Sequence, residues 1–277
     1  MIQRIMEFFA EIFKHDRELE SNHTPNFQSE DGNRRKLFEI EPLPHGYSPT
    51  VLKRYSIHAK FTETKRKRRL TLFALDEEQA ILKAMEKGFE EPFDLTEEPE
   101  IPTPNQVHFA EDLEIDIPEN CSKIDLSYLI TRRKGDPKHP NIELMDFAGG
   151  RGLLSSRYIG KKSLYNSLFS SLKSEDKVAF FIFCIYRYLS DDRRGNLDSH
   201  PQREIFYKFA EEMVKNQSFI KSMLKYKGKD LRFFGTIRTN EIEICGGSTN
   251  TIAYKKASLY LRDHFDLPLT RTKEFVD

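Results

Sequence analysis

Arg194 and His200, separated by five residues, are of types that suit acid–base work on a phosphate ester. An arginine can stabilise a phosphorane while a histidine hands a proton to the leaving oxygen. A second constellation is the unbroken run Lys65-Arg66-Lys67-Arg68-Arg69, whose charges suit neutralisation of phosphates and whose arginines have the fork geometry to read guanine. A third is Gly246-Gly247-Ser248-Thr249-Asn250, ahead of a helix that carries Lys255 and Lys256. The backbone N–H groups of Gly247, Ser248, Thr249 and Asn250, with those two lysines, are the donors an anion takes at a helix start. Serine, threonine and asparagine are also the best N-caps, so the same residues suit plain capping.

Other chemistries lack their residues. The eight histidines are dispersed, and none stands at ligand spacing from another histidine or a cysteine. Cys121, Cys184 and Cys245 form no CxxC pair, so neither a metal site nor a disulfide framework is expected, and no cofactor-binding motif is present. Asp146-Phe147-Ala148-Gly149-Gly150-Arg151-Gly152 is read as a glycine turn, because repeated βα units do not follow it. The longest apolar run, Val178 to Tyr186, is nine residues, against the roughly 20 needed to cross a bilayer. The opening MIQRIMEFFAEIFKH has neither the basic start nor the cleavage site of a signal peptide. A chain with no membrane contact and a cytoplasmic location is expected.

The 44 basic and 44 acidic residues cancel overall but not locally. Residues 1–119 hold 16 basic and 25 acidic residues, a net −9, and residues 120–277 hold 28 and 19, a net +9. Such polarity lets an acidic part fold onto a basic one, or presents the basic part to an anionic partner.

Periodicity places these residues on elements. Residues 1–14 form an amphipathic helix with Ile2, Ile5, Met6, Phe9, Ile12 and Phe13 on one face, a surface for a protein partner, and polar residues 15–36 read as a tether. Residues 37–89 make a small α/β module. Tyr55, Ile57, Ala59 and Phe61 alternate along one strand, Leu70, Leu72 and Ala74 along a second, and Asp76 caps a helix over Glu77–Lys87. Lys36–Glu41 or Phe93–Leu95 is expected to add a third strand. Residues 90–119, with 11 acids, five prolines and no lysine or arginine, read as a stiff anionic linker. Residues 120–277 form a mainly helical α+β domain. It is expected to hold strands at Asp125–Thr131 and Asn141–Phe147, and helices at Lys162–Leu172, Glu175–Leu189, Pro201–Tyr226 and Thr251–His264. A hairpin of Leu231–Arg238 and Glu241–Cys245 completes it.

The order strand, basic turn, basic strand, then LFALDEEQAILKAME resembles the arm-type DNA-binding domain of phage and transposon integrases over residues 53–89. That resemblance implies a three-stranded sheet backed by one helix. The catalytic set of such recombinases is incomplete here: His200-Pro201-Gln202-Arg203 fits His-x-x-Arg, but Gly246-Gly247-Ser248 stands where Gly-His-Ser is expected. Arg194 and His200 also resemble the Arg-x4-6-His signature of HEPN ribonucleases, although those are all-helical. The function expected from charge and motifs is therefore non-catalytic nucleic-acid binding, DNA rather than RNA, through the basic hairpin and the cationic second half. A protein–protein adaptor and a nuclease using Arg194 and His200 are the alternatives.

Overall fold

The computed structural model describes residues 37–238 and 243–267. The helix and tether expected over 1–14 and 15–36 lie outside the described residues. The fold is α+β. A three-stranded antiparallel sheet comes first, with β1 (Lys53–Phe61) in the middle, β2 (Lys67–Ala74) on one side and β3 (Phe89–Glu97) on the other. Helix α1 (Glu77–Glu86) joins β2 to β3, and the Asp76 carboxylate accepts the Gln79 N–H at 2.8 Å to cap it. Its Ala80 and Ala84 have almost no side chain to hold it off the sheet, so it packs closely on Tyr55, Ile57, Ala59, Leu72 and Ala74. Among the described residues no helix packs on the opposite face of the sheet, where Arg54, His58, Lys60, Lys67, Arg69 and Thr71 are exposed or partly exposed.

Residues 90–119 are not a linker. They form most of β3 and then α2 (Pro104–Asp112). Phe93 and Leu95 supply the apolar side of β3, and the expected Phe93–Leu95 strand lies within it. The start of α2 is a capping box: Thr103 Oγ1 accepts from the Gln106 N–H, Gln106 reaches back to the Thr103 N–H, and Pro104 occupies the first turn. Proline punctuation and high charge hid this pattern, and Glu90, Glu97, Glu98 and Glu100 pair with cations of β1, β2 and the turn between them.

The strands expected at Asp125–Thr131 and Asn141–Phe147 are helical. They lie in α3 (Lys123–Gly135) and α4 (Ile142–Gly150). Leu126 and Leu129 are buried three residues apart, and Leu144, Met145, Phe147 and Ala148 share one helical face, a spacing no strand reproduces. Gly149 lies in the last turn of α4, ahead of the turn at Arg151 and Gly152, and it must be glycine: a Cβ there would lie 2.8 Å from the Thr50 carbonyl oxygen.

Helices α5 (Lys161–Ser171) and α6 (Ser174–Ser190) follow, with Lys173 at the N-cap position of α6. Val178 to Ile185 are all buried, so α6 is surrounded on every side. The single helix expected over Pro201–Tyr226 is two, α7 (Arg203–Met213) and α8 (Gln217–Met223), because Asn216 turns the chain and caps α8 through the Phe219 N–H at 3.0 Å. A 3-10 helix (Gly228–Arg232) occupies the start of the expected first hairpin strand. The paired hairpin strands are short, β4 (Thr236–Arg238) and β5 (Glu243–Cys245), and α9 (Ile252–Phe265) closes the fold. Phe181 of α6 meets Phe219, Tyr226 and Phe234, with ring centroids 6.0, 5.1 and 6.1 Å away.

Ahead of β1, residues 37–52 run without regular structure along the helical part. The Phe38 N–H donates to Arg133 O at 3.0 Å, and buried Arg132 donates to Glu41 O at 2.6 Å and Pro137 O at 2.8 Å. The Tyr47 hydroxyl donates to Asp146 at 2.8 Å, and the Leu52 N–H reaches Leu154 O at 2.8 Å.

Replacing Phe181, which is fully buried, by alanine is expected to cost about 3–5 kcal/mol in urea unfolding. Leu82→Ala on the outer side of α1, where the residue is 54% exposed, should change stability by no more than about 0.5 kcal/mol. Similar losses at both positions would contradict the central place given to α6.

Candidate nucleic-acid interface

Strands β1 and β2 pair as a ribbon in the register Lys60 with Lys67, Ala59 with Arg68 and His58 with Arg69. Because side chains alternate, this register sends Lys67, Arg69 and Thr71 to the face opposite α1, alongside Arg54, Ser56, His58 and Lys60. The turn between the strands closes with Lys65 at φ 53°, its N–H donating to Phe61 O at 2.8 Å.

All five cations of the run are exposed, but they are not equally free. Lys65 Nζ lies 3.0 Å from Glu90. Arg69 donates through Nε to buried Ser56 at 2.7 Å and through Nη2 to Glu98 at 2.6 Å. Arg68 lays its guanidinium 4.9 Å from the Phe61 ring centroid, a contact that leaves its donors available. Arg66 and Lys67 have no ion pair among the described residues. Two further pairs, Lys53 with Glu97 at 2.8 Å and Arg54 with Glu100 at 3.3 Å, fasten the acidic segment to β1. Exposed pairs of this kind are worth about 0.2–1 kcal/mol each, so a phosphate can compete for Lys65 and Arg69 at small cost. Sequence reasoning centred on the turn and passed over Arg54, His58 and Lys60. The alternation in β1 already put them together on the open face.

The other candidate residues are placed differently. His200 packs against Phe183, Tyr186 and Phe206, with ring centroids 5.1 to 5.5 Å away. Its Nδ1 accepts the Gln202 N–H at 3.1 Å and its Nε2 lies 3.6 Å from the Asp192 carboxylate, so both ring nitrogens face protein partners. Arg194 is exposed, and its backbone N–H donates to Asp192 at 3.0 Å. No hydrogen bond joins Arg194 to His200 among the described residues. Burial pushes the Cys184 thiol up to about 12 and the Cys121 thiol up to about 11, which keeps both protonated and poorly nucleophilic at neutral pH.

At the glycine turn, the Gly246 N–H donates to Gly235 O at 2.8 Å and the Gly247 N–H to Phe233 O at 3.0 Å. The N-cap of α9 is Thr251, whose hydroxyl accepts the Tyr254 N–H at 3.0 Å, and Ser222 accepts the Ala253 N–H at 3.1 Å. Ser248 accepts the Asn250 N–H at 3.3 Å, and the Tyr226 hydroxyl donates to the Ser248 carbonyl. Of the four candidate N–H donors, those of Gly247 and Asn250 are thus engaged within the fold. Thr249 is half-buried, and Lys255 and Lys256 are exposed on α9. The turn borders a shallow cleft of about 320 Å3 lined by Lys225, Tyr226, Asp230, Gly246, Ser248 and Thr251. Among the described residues no group of three or more His, Cys, Asp or Glu could hold a metal ion, and no helix is long and apolar enough to cross a membrane.

Burial holds both His200 and His139 below the ordinary histidine value of 6.5, the Asp192 carboxylate opposing it at His200. The folded chain therefore resists protonation that the unfolded chain accepts. Stability from this source is complete above about pH 6.5 and is lost as the pH falls through that value, levelling off below the folded values. Urea midpoints measured from pH 8 to pH 5 should fall with that sense, and His200→Asn should flatten the decline.

In comparisons with protein-family models, with curated proteins and with solved structures, the chain matches none, so the role of the basic ribbon rests on its own chemistry.

Proposed function

We propose that this protein binds nucleic acid without acting on it chemically, through the β1–β2 ribbon and the open face of its sheet. The observation that carries the reading is the trio at one end of the ribbon: Arg66 and Lys67 without acidic partners, next to Arg68 with its guanidinium presented on Phe61. Behind them Arg54, His58, Lys60 and Arg69 line the uncovered face. A two-stranded ribbon fits the B-form major groove, about 12 Å wide, whereas the deep, narrow A-form groove excludes it, which favours DNA over double-stranded RNA. Three free cysteines suit a reducing compartment such as the cytoplasm.

Glu90 and Glu98 act here as internal competitors. They occupy Lys65 and Arg69 when no phosphate does, so the acidic segment sets how readily the ribbon engages.

The test is a salt titration of binding to duplex DNA. Replacing Arg66, Lys67 and Arg68 together by glutamine should weaken binding and reduce the slope of log K against log salt by about 2 to 3, near 0.9 per lost phosphate contact. An unchanged slope would remove the ribbon from the interface. Glu90→Gln with Glu98→Gln should tighten binding several-fold at low salt, with the difference fading above about 0.5 M as screening shortens. Equal or weaker binding by that variant at low salt would reduce the acidic strand to a structural element.

A further inference from the structure

Away from the sheet, four segments of the helical part bring cations to one place. Lys161 begins α5, and its side chain is half-buried with no ion pair or side-chain hydrogen bond among the described residues. The Lys161 N–H donates to Lys138 O at 2.9 Å, which fixes the loop carrying Lys138 beside it. Arg187 reaches across from α6 and donates to the Tyr165 hydroxyl of α5 at 3.3 Å. It also donates to the carbonyls of Asp192 at 3.0 Å and Arg193 at 2.7 Å, which holds the backbone of the 191–194 loop at the end of α6. The 3-10 helix docks on α5 through the Lys229 N–H to Asn166 at 2.8 Å, which brings in Arg232. This approach is so close that a Cβ on Gly228 would lie 2.3 Å from Tyr165 O.

The carboxylates of these segments do not balance the cluster. Asp136 accepts the Lys162 and Ser163 N–H groups and the Ser163 hydroxyl, at 2.8 to 2.9 Å. Asp192 accepts the Arg194 and Gly195 N–H groups and faces His200. Asp230 accepts the Lys227 N–H at 2.8 Å. Among the described residues Asp191 pairs with Arg193 at 3.3 Å, and the hydrogen bonds of Arg187 go to neutral oxygens. Burial first, and then the charges of Arg187, Lys138, Arg232 and Arg193, push the Lys161 pKa down. Such a group gains most from an anion with several oxygens. The helix start itself contributes little, because Asp136 already holds the Lys162 and Ser163 N–H groups.

We propose that Lys161, ringed by Lys138, Arg187, Arg193 and Arg232, is a binding site for one dianionic phosphate group. Charges converging on a point, rather than set in a row, suit a terminal phosphate better than the monoanionic diesters of a strand interior. That chemistry is shared by free phosphate compounds and by the 5′-phosphate end of a nucleic acid. The site does not depend on the ribbon binding DNA.

The experiment follows the melting temperature of the full chain in sodium phosphate and sodium pyrophosphate, with sodium chloride at matched ionic strength as control. A saturable rise with phosphate and pyrophosphate but not chloride is expected. Lys161→Gln should abolish the rise while melting in chloride at or above the wild-type temperature, since it removes a repelled charge. Arg232→Gln, at an exposed position, should raise the half-saturating concentration about tenfold. A rise equal to that in chloride, or one retained by Lys161→Gln, overturns the proposal. Oligonucleotides with 5′-phosphate and 5′-hydroxyl ends then identify the source. Several-fold tighter binding of the phosphorylated form, lost in Lys161→Gln but kept when Arg66, Lys67 and Arg68 are replaced by glutamine, supports the site with a strand end as ligand. Equal binding of the two, with the Lys161-dependent response to pyrophosphate intact, supports it with a small phosphate compound.

Discussion

The burial of α6 is the constraint on which the rest of the helical part depends. A helix with eight consecutive buried residues, Val178 to Ile185, has no side that gains from contact with water, so it is stable only when other elements enclose it completely. The aromatic side chains of Phe206 and Phe209 from α7, Phe219 from α8, Phe234 after the 3-10 helix and Tyr254 from α9 provide that enclosure. Their large areas compensate for a composition only 38% hydrophobic. The positions of Arg187 near the end of α6 and of the loop it holds follow from the same packing.

Elements whose pattern was carried by their own residues were legible in the sequence. The β1–β2 ribbon with α1 is one, since alternation, an Asp cap and a stopping glycine agree with one another. Helices α5, α6 and α9 are others. The elements that escaped were those with mixed signals. Short apolar stretches in α3 and α4 have both β-branched residues and helical spacing, and such runs cannot be assigned by period alone. The Ser122–Asp125 capping box, with the Asp125 N–H donating to Ser122 at 3.1 Å, was the cue that marked α3 as a helix. For β3 and α2, charge and proline outweighed the alternation of Phe93 with Leu95. Four of its carboxylates, Glu90, Glu97, Glu98 and Glu100, have cationic partners on the β1–β2 ribbon, and a linear reading of composition does not see partners.

The same point separates the candidate sites. The basic run was visible because its five charges are adjacent. The cluster around Lys161 was not, because its members are spread over about 95 residues of sequence and only the packing of α5, α6 and the 3-10 helix unites them. The two differ in balance as well. On the sheet Lys53, Arg54, Lys65 and Arg69 are matched by carboxylates from β3 and the residues after it, whereas Asp136 and Asp230, around Lys161, serve backbone N–H groups and Asp191 pairs with Arg193. Five of the 28 basic residues in the second half of the chain thus belong to one cluster.

The irregular segment 37–52 has a consequence for the order in which the chain can mature. Its anchors on Arg132, Arg133, Asp146 and Leu154 are 91 to 102 residues further along. During synthesis this segment leaves the ribosome well before anything exists for it to bind, and closing such long loops is entropically slow. The sheet, by contrast, is complete once residue 97 has emerged. A nascent chain therefore holds a finished basic ribbon joined to an unattached leader until α3 and α4 appear. The docking of residues 37–52 becomes a late event that joins two parts already formed.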